Sequence, residues 1–293
     1  MKKLFRSRTP SALDQAPPPG GDGSAGPDGV KTFDADAAEM SFLEHLEDLR
    51  WTIFRALGGV VITTILSAFF RRWIIDALLL GPTYADFFMY RVFGVDATDV
   101  VLQNRTINGQ FFADWGAVLA VGIIIGSPLV VYSIWRFIEP ALYPNEKKGL
   151  RFASAFATLF FVLGILFGYL VITPLALQFF NQYSISSQII NEFDITRYFS
   201  LVLTWAFGVG LLFELPVVVY FLSKLGLVTP AVLRGARKYA LIVILVVGAF
   251  LTPPDPISQI LVALPMLALY EGSIWISGVV EKRRERELRK ALE

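Results

Sequence analysis

Apolar residues fill this chain in long blocks separated by short polar clusters. The first block, IFRALGGVVITTILSAFF, covers about residues 53–70. Five more follow at about 112–137, 152–174, 198–222, 239–254 and 257–280. A helix rises about 1.5 Å per residue, so about 20 apolar residues cross a hydrocarbon core of roughly 30 Å. The blocks therefore predict six transmembrane helices. The segment from Trp115 to Trp135 carries no charge. The fifth block, YALIVILVVGAFLTPP, is short: its strictly apolar part gives only about 21 Å of helix. The sixth is interrupted by Glu271, and Pro253-Pro254 makes a tight turn between the last two.

A polar stretch, SFLEHLEDLR, stands immediately before the first block at residues 41–50. Ser41 followed by Glu44 forms a capping box and predicts a helix from about residue 42. Phe42, Leu46, Leu49 and Ile53 make one apolar stripe on it. Glu44 and Asp48 are i, i+4 neighbours on another face, with Glu47 beside them. Glu44 and Glu47 also read as first-turn acids that complement the helix dipole. Asp48 lies past that turn, close to the membrane surface and beside Arg50.

A second acidic feature, FIEPALYPNEKK at 137–148, follows the second block. Glu146 has two readings there. It is a loop charge for Lys147 or Lys148, or it is the second of two carboxylates on one membrane face. Two separated carboxylates suit two guanidinium groups, since each arginine binds a carboxylate bidentately. Glu214 lies within the fourth block and is followed by Pro216, which removes a backbone donor. An ionisable group at that depth marks either function or a protonated side chain bonded to a neighbouring helix. Thr252 and Gln259 flank the Pro-Pro turn and are placed to bond a partner helix, and Asp255 reads as a turn residue at the outer surface.

Composition agrees with a membrane chain. Hydrophobic residues make up 55% and charged residues 17% of the 293 positions, against about 25% charge in a soluble domain. There is no cysteine and one histidine, His45. That removes disulfides, thiolate metal sites and histidine clusters, and no metal or other cofactor is expected. Residues 1–40 are rich in Pro, Gly and small polar residues and predict a disordered tail. MKKLFRSR is basic, but no apolar run follows it, so it does not read as a cleaved signal peptide. Residues 41–280 form the membrane domain and 281–293 a basic tail. Lysine and arginine set the orientation. Arg71, Arg72, Arg91, Arg105 and Arg197 fall on one side, Arg136 at a border and the remaining twenty on the other. Both termini are therefore expected in the cytoplasm, with Arg71 and Arg72 against the trend.

Taken together, HLEDLR, FIEPALYPNEKK, FGYLVITPLALQFF, FGVGLLFELPVVVYFLSKLGLVTP and FLTPPDPISQILVALPMLALYE resemble the TatC family. TatC is the receptor subunit of the twin-arginine translocase. The resemblance covers about residues 40–280, with its motifs in order. It implies an all-α integral membrane protein, a concave, glove-shaped bundle of six transmembrane helices in the bacterial cytoplasmic membrane. It implies a non-enzymatic role in Sec-independent transport of folded proteins, driven by the proton-motive force. The residues implied to bind the paired arginines of a signal peptide are Asp48 and Glu146, with Arg50 matching the motif. His45, Pro82, Pro140 and Asp255 fall on further motif positions, and Glu214 on the family's intramembrane glutamate. Asp48 is one methylene shorter than the family's usual Glu, and Thr52 stands where a second basic residue is usual. Thr252 and Gln259 are implied to dock a single-span TatA or TatB helix in a multimeric complex. The implied partners are thus those helices, twin-arginine signal peptides and the lipid bilayer, with no nucleic acid.

Two other function classes fit less well. A small-molecule secondary transporter would use Glu214 as a proton or ion relay, but spans 1–3 and 4–6 show no internal repeat. An intramembrane hydrolase lacks a nucleophile-base pair. No GxxxxGK[ST] motif is present, so no phosphate-binding loop for ATP is expected.

Overall fold

The computed structural model of the chain describes residues 35–142, 147–251 and 256–292, with side chains over these ranges apart from 35–46, 139–142, 147–153, 251, 257–258, 287–288 and 290–292. The membrane bundle belongs to the unit Glu44–Glu293, and it is built from helices.

α1 runs Ala35–Phe69. The expected start at Ser41 is not met. The residues ahead of it, ADAAEM, are mostly strong helix formers and carry the helix back to Ala35. Ser41 is therefore inside the helix, and Glu44 and Glu47 lie beyond its first turn. The capping-box reading of those acids falls with it.

After α1 come α2 (Arg71–Trp73), a widened turn at Ile74–Leu79, a 3₁₀ turn at Gly81–Thr83 and α3 (Phe88–Phe93). β1 (Leu102–Gln103) leads into α4 (Gly109–Leu142). α5 (Lys147–Phe167), a widened turn at Gly168–Ile172 and α6 (Thr173–Gln182) form one composite span. β2 (Phe193–Asp194) precedes α7 (Ile195–Leu212) and α8 (Leu215–Lys224), which form another. The chain closes with α9 (Pro230–Gly235), α10 (Arg237–Leu251) and α11 (Pro256–Leu292).

Among the described residues, five segments are long and apolar enough to cross a membrane: Glu47–Phe69, Gly109–Ile138, Ser154–Gln182, Ile195–Lys224 and Gln259–Arg286. The fifth block of the sequence forms α10, 15 residues long. That is about 22 Å of helix, short of a typical hydrocarbon core. Proline explains both composite spans. Pro174 and Pro216 lack the N–H of a regular helix, and each follows the break in its span.

The irregular backbone after α1 is satisfied by side chains. Tyr198 donates to the Leu79 carbonyl at 2.7 Å, Tyr169 to Leu78 and Tyr90 to Pro82. Pro82 is buried among these groups. Burial pushes the Tyr90 phenol above its ordinary range, offset in part by Gln178, which keeps it a neutral donor. The long connection between α3 and α4 is pinned as well. Gln178 exchanges two hydrogen bonds with the Thr98 backbone, at 3.1 and 2.8 Å. Leu102–Gln103 pairs in parallel with Phe193–Asp194. Asp194 then caps α7, accepting from Thr196 and Arg197 at 3.0 Å.

α7–α8 packs against α4, α5 and α11, and Trp205, Val209, Val262 and Met266 lie in the largest core cluster. A methyl at Gly168 would stand 2.5 Å from the Trp205 carbonyl oxygen, so only glycine fits at that crossing.

Candidate functional site

α1 and α4 cross closely through Gly122 and Gly126. A methyl at Gly122 would stand 2.4 Å from Thr64 Cα, and one at Gly126 2.9 Å from Val60 Cα. Thr63 donates to the Gly122 carbonyl at 2.8 Å across the same contact. Small residues four apart let helix backbones approach in a membrane, and GIIIG at 122–126 is the sequence signal for it. Gly59 faces Leu129 in the same antiparallel register. Continuing that register sets Leu49 alongside Phe137 and Ile138, all walls of an apolar crevice of about 440 Å³.

Asp48 immediately precedes Leu49, the first α1 residue of the crevice wall, and lies one turn ahead of Thr52 in that wall. It is exposed, as is Glu47. Asp48 has no hydrogen bond or ion pair among the described residues. Arg50 does not neutralise it. The Arg50 guanidinium lies over the Phe54 ring at 5.6 Å instead, a cation–π contact. The charge on Asp48 therefore stays available to a partner. Glu146 lies outside the described residues, four positions beyond Leu142, the last residue of α4. The side chains of His45 and Pro140 are also outside them; both positions are helical, in α1 and α4.

Glu214 occupies the break between α7 and α8. Its side chain does not cap its own helix. It accepts from Trp135 Nε1 on α4 at 3.0 Å. The other carboxylate oxygen is buried without a hydrogen bond among the described residues. Trp135 in turn stacks on Phe221, with centroids 4.5 Å apart and planes 13° apart. Toward the N-terminal end of α7 from this point, an apolar groove of about 510 Å³ lies between α4 and α7. Thr196, Ser200 and Thr204 line one wall at helical spacing, facing Gly116 and Ala120.

The remaining polar residues are dispersed. Gln259 donates to the Leu245 carbonyl at 2.9 Å, fastening α11 to α10. Thr252 and Asp255 lie outside the described residues. Glu271 pairs with Arg237 at 2.7 Å, both half-exposed. Arg71, which opposed the charge asymmetry, pairs with Asp114 at 3.2 Å. Neither that pair nor the Trp135–Glu214 bond is visible from periodicity, because the partners lie 43 and 79 residues apart. α10 carries an exposed apolar stripe of Tyr239, Ile242, Val243, Val246 and Phe250.

Residues 44–265 match the family model described as Sec-independent protein translocase protein (TatC). A TatC from Blattabacterium sp. is 34% identical over 260 residues, covering 84% of this chain and 98% of that protein. One from Aquifex aeolicus is 33% identical over 253 residues, 86% of this chain and 100% of that protein. A crystal structure of the twin-arginine translocase receptor TatC superposes with a TM-score of 0.68. It is 32% identical and covers 80% of this chain and 99% of that one.

Proposed function

The chain belongs to the TatC family of Sec-independent protein translocase proteins, multi-pass proteins of the bacterial membrane, and on that premise we propose that Asp48 and Glu146 bind the paired arginines of a cargo signal peptide at the cytoplasmic face. Both termini lie on that face. The family acts as a translocase receptor rather than as a catalytic enzyme. The observation that carries the reading is Asp48: an exposed carboxylate without a hydrogen bond or ion pair among the described residues, next to Leu49 in the wall of an apolar crevice.

A signal peptide has a positive segment followed by an apolar run of about 7–15 residues. The crevice suits that order. Its α1 wall extends from Leu49 to Val60, about 16 Å of helix and close to the length of such a run in helical form. Asp48 meets the arginines and the crevice takes the apolar residues behind them. Arg50, held over Phe54, leaves the carboxylate free.

The exposed stripe on α10 docks the single-span helix of a TatA or TatB partner, with Thr252 and Gln259 toward its outer end. Close-fitting apolar side chains give such contacts their energy in lipid. The Gln259–Leu245 bond keeps α10 and α11 together as one docking element. Glu214, tied to Trp135, is the polar point of the bundle. The proton-motive force drives transport through a complex of several subunits.

Crosslinking to a twin-arginine precursor tests the arginine site. Asp48→Ala and Glu146→Ala each weaken capture while membrane insertion stays intact. If both variants capture the precursor as well as the wild type does, these carboxylates are not the receptor.

A further inference from the structure

A third pocket, of about 360 Å³, lies between α9 and α11 and takes no part in the recognition surface. Its floor is apolar, formed by Ala231, Ile274, Trp275 and Val279. Its rim carries two cations from different helices, Arg234 on α9 and Lys282 on α11, and one carboxylate, Glu281. Arg234 and Lys282 are exposed and form no ion pair among the described residues. Arg237, three residues from Arg234, is already taken by Glu271.

Floor and rim are displaced along the helix axis. Trp275 and Lys282 are seven residues apart, about 10 Å. Trp275 is 73% exposed and extends the floor outward into apolar surface. Tryptophan favours the membrane–water interface, and basic pockets between transmembrane helices at that level hold anionic headgroups. Gly278 leaves the space open: a methyl there would only touch the Pro230 ring, at 3.8 Å.

We propose that the α9–α11 pocket binds an anionic phospholipid, its phosphate between Arg234 and Lys282 and its chains on Trp275 and Val279. A free phosphate would use the rim and leave the apolar floor unused, so the lipid is the occupant that fits both. Glu281 opposes the phosphate and weakens its hold, which gives the proposal a signed test.

The full chain in detergent would be titrated with phosphatidylglycerol, with phosphatidylcholine of the same chains and with glycerol phosphate, and bound lipid counted by native mass spectrometry. Phosphatidylglycerol is retained; the other two are not at equal concentration. Arg234→Gln with Lys282→Gln lowers retention by about tenfold or more, Gly278→Leu lowers it without changing charge, and Glu281→Gln raises it severalfold. Arg286→Gln, outside the pocket, leaves it unchanged. The proposal is overturned if Arg286→Gln costs as much as the pocket pair, if Glu281→Gln lowers retention, or if glycerol phosphate competes as well as the lipid.

Discussion

The span Ile195–Lys224 and the span Glu47–Phe69 are both apolar enough to cross a membrane, yet over an 18-residue apolar stretch of each, 50% of the first is buried in the protein and only 11% of the second. Trp205, Val202 and Val209 of the first are sealed between α4, α5 and α11. Phe54, Leu57, Ile62 and Phe69 of the second point outward. In lipid, apolar side chains gain little by leaving the hydrocarbon for one another. What holds α1 is therefore local: the Gly122–Gly126 crossing and the Thr63 hydrogen bond. One region is a scaffold. The other presents a surface and keeps few contacts with the rest of the bundle, which suits the partner-binding role proposed for it. Hydropathy finds both spans equally well and does not tell them apart.

That difference can be broken from the scaffold side first. Gly168→Val drives a methyl into the Trp205 carbonyl at 2.5 Å. Overpacking at a sealed crossing costs about 3 kcal/mol or more. Thermal unfolding in detergent is expected to show a much-lowered midpoint, with signal binding lost alongside the fold. A midpoint near that of the wild type would mean the packed half yields more than its geometry implies.

Gly122→Val acts on the other region, at about 2 kcal/mol. The absence of cysteine provides a clean readout. A Cβ at Gly59 lies 4.0 Å from the Leu129 Cβ, within disulfide range. Gly59→Cys with Leu129→Cys is expected to crosslink α1 to α4, and adding Gly122→Val to suppress the crosslink while α5 and α7 stay protected from hydrogen exchange. Loss of protection in α5 and α7 would show that the two regions are not separable.

Trp135→Phe is the smallest of the three, about 1 kcal/mol or somewhat more, because it keeps the ring on Phe221 and removes only the donor to Glu214. Adding Glu214→Met recovers part of the loss, since no unpartnered carboxylate is then left inside. Unfolding midpoints of the two single variants and the double variant close the cycle. Simple additivity would remove Trp135 as the partner that matters to Glu214.

Much of the fold can be read along the chain. Five of the apolar blocks become membrane-length helices, the fifth block is short as its 14 or so apolar residues require, and the break before Pro216 falls where a missing donor puts it. The start of α1 departs from the capping-box expectation because the alanine-rich residues before Ser41 extend the helix past that cap signal. The pairing of Leu102–Gln103 with Phe193–Asp194, and of Arg71 with Asp114, joins residues far apart in sequence, where periodicity carries no information. At the surface proposed for recognition, the exposed position of Asp48 before the first apolar block can be read along the chain. Its freedom from Arg50 cannot, because i, i+4 geometry offers Arg50 the Phe54 ring instead.

In the proposed role, Asp48 distinguishes arginine from lysine. A carboxylate binds arginine bidentately and lysine as a point charge. Capture of a twin-arginine and a twin-lysine precursor would be compared on the wild type, Asp48→Glu and Asp48→Asn in the same membranes. The expected result is a preference for arginine that Asp48→Glu keeps and Asp48→Asn cuts by about tenfold, or ~1.4 kcal/mol. An Asp48→Asn protein that keeps the full preference would contradict it.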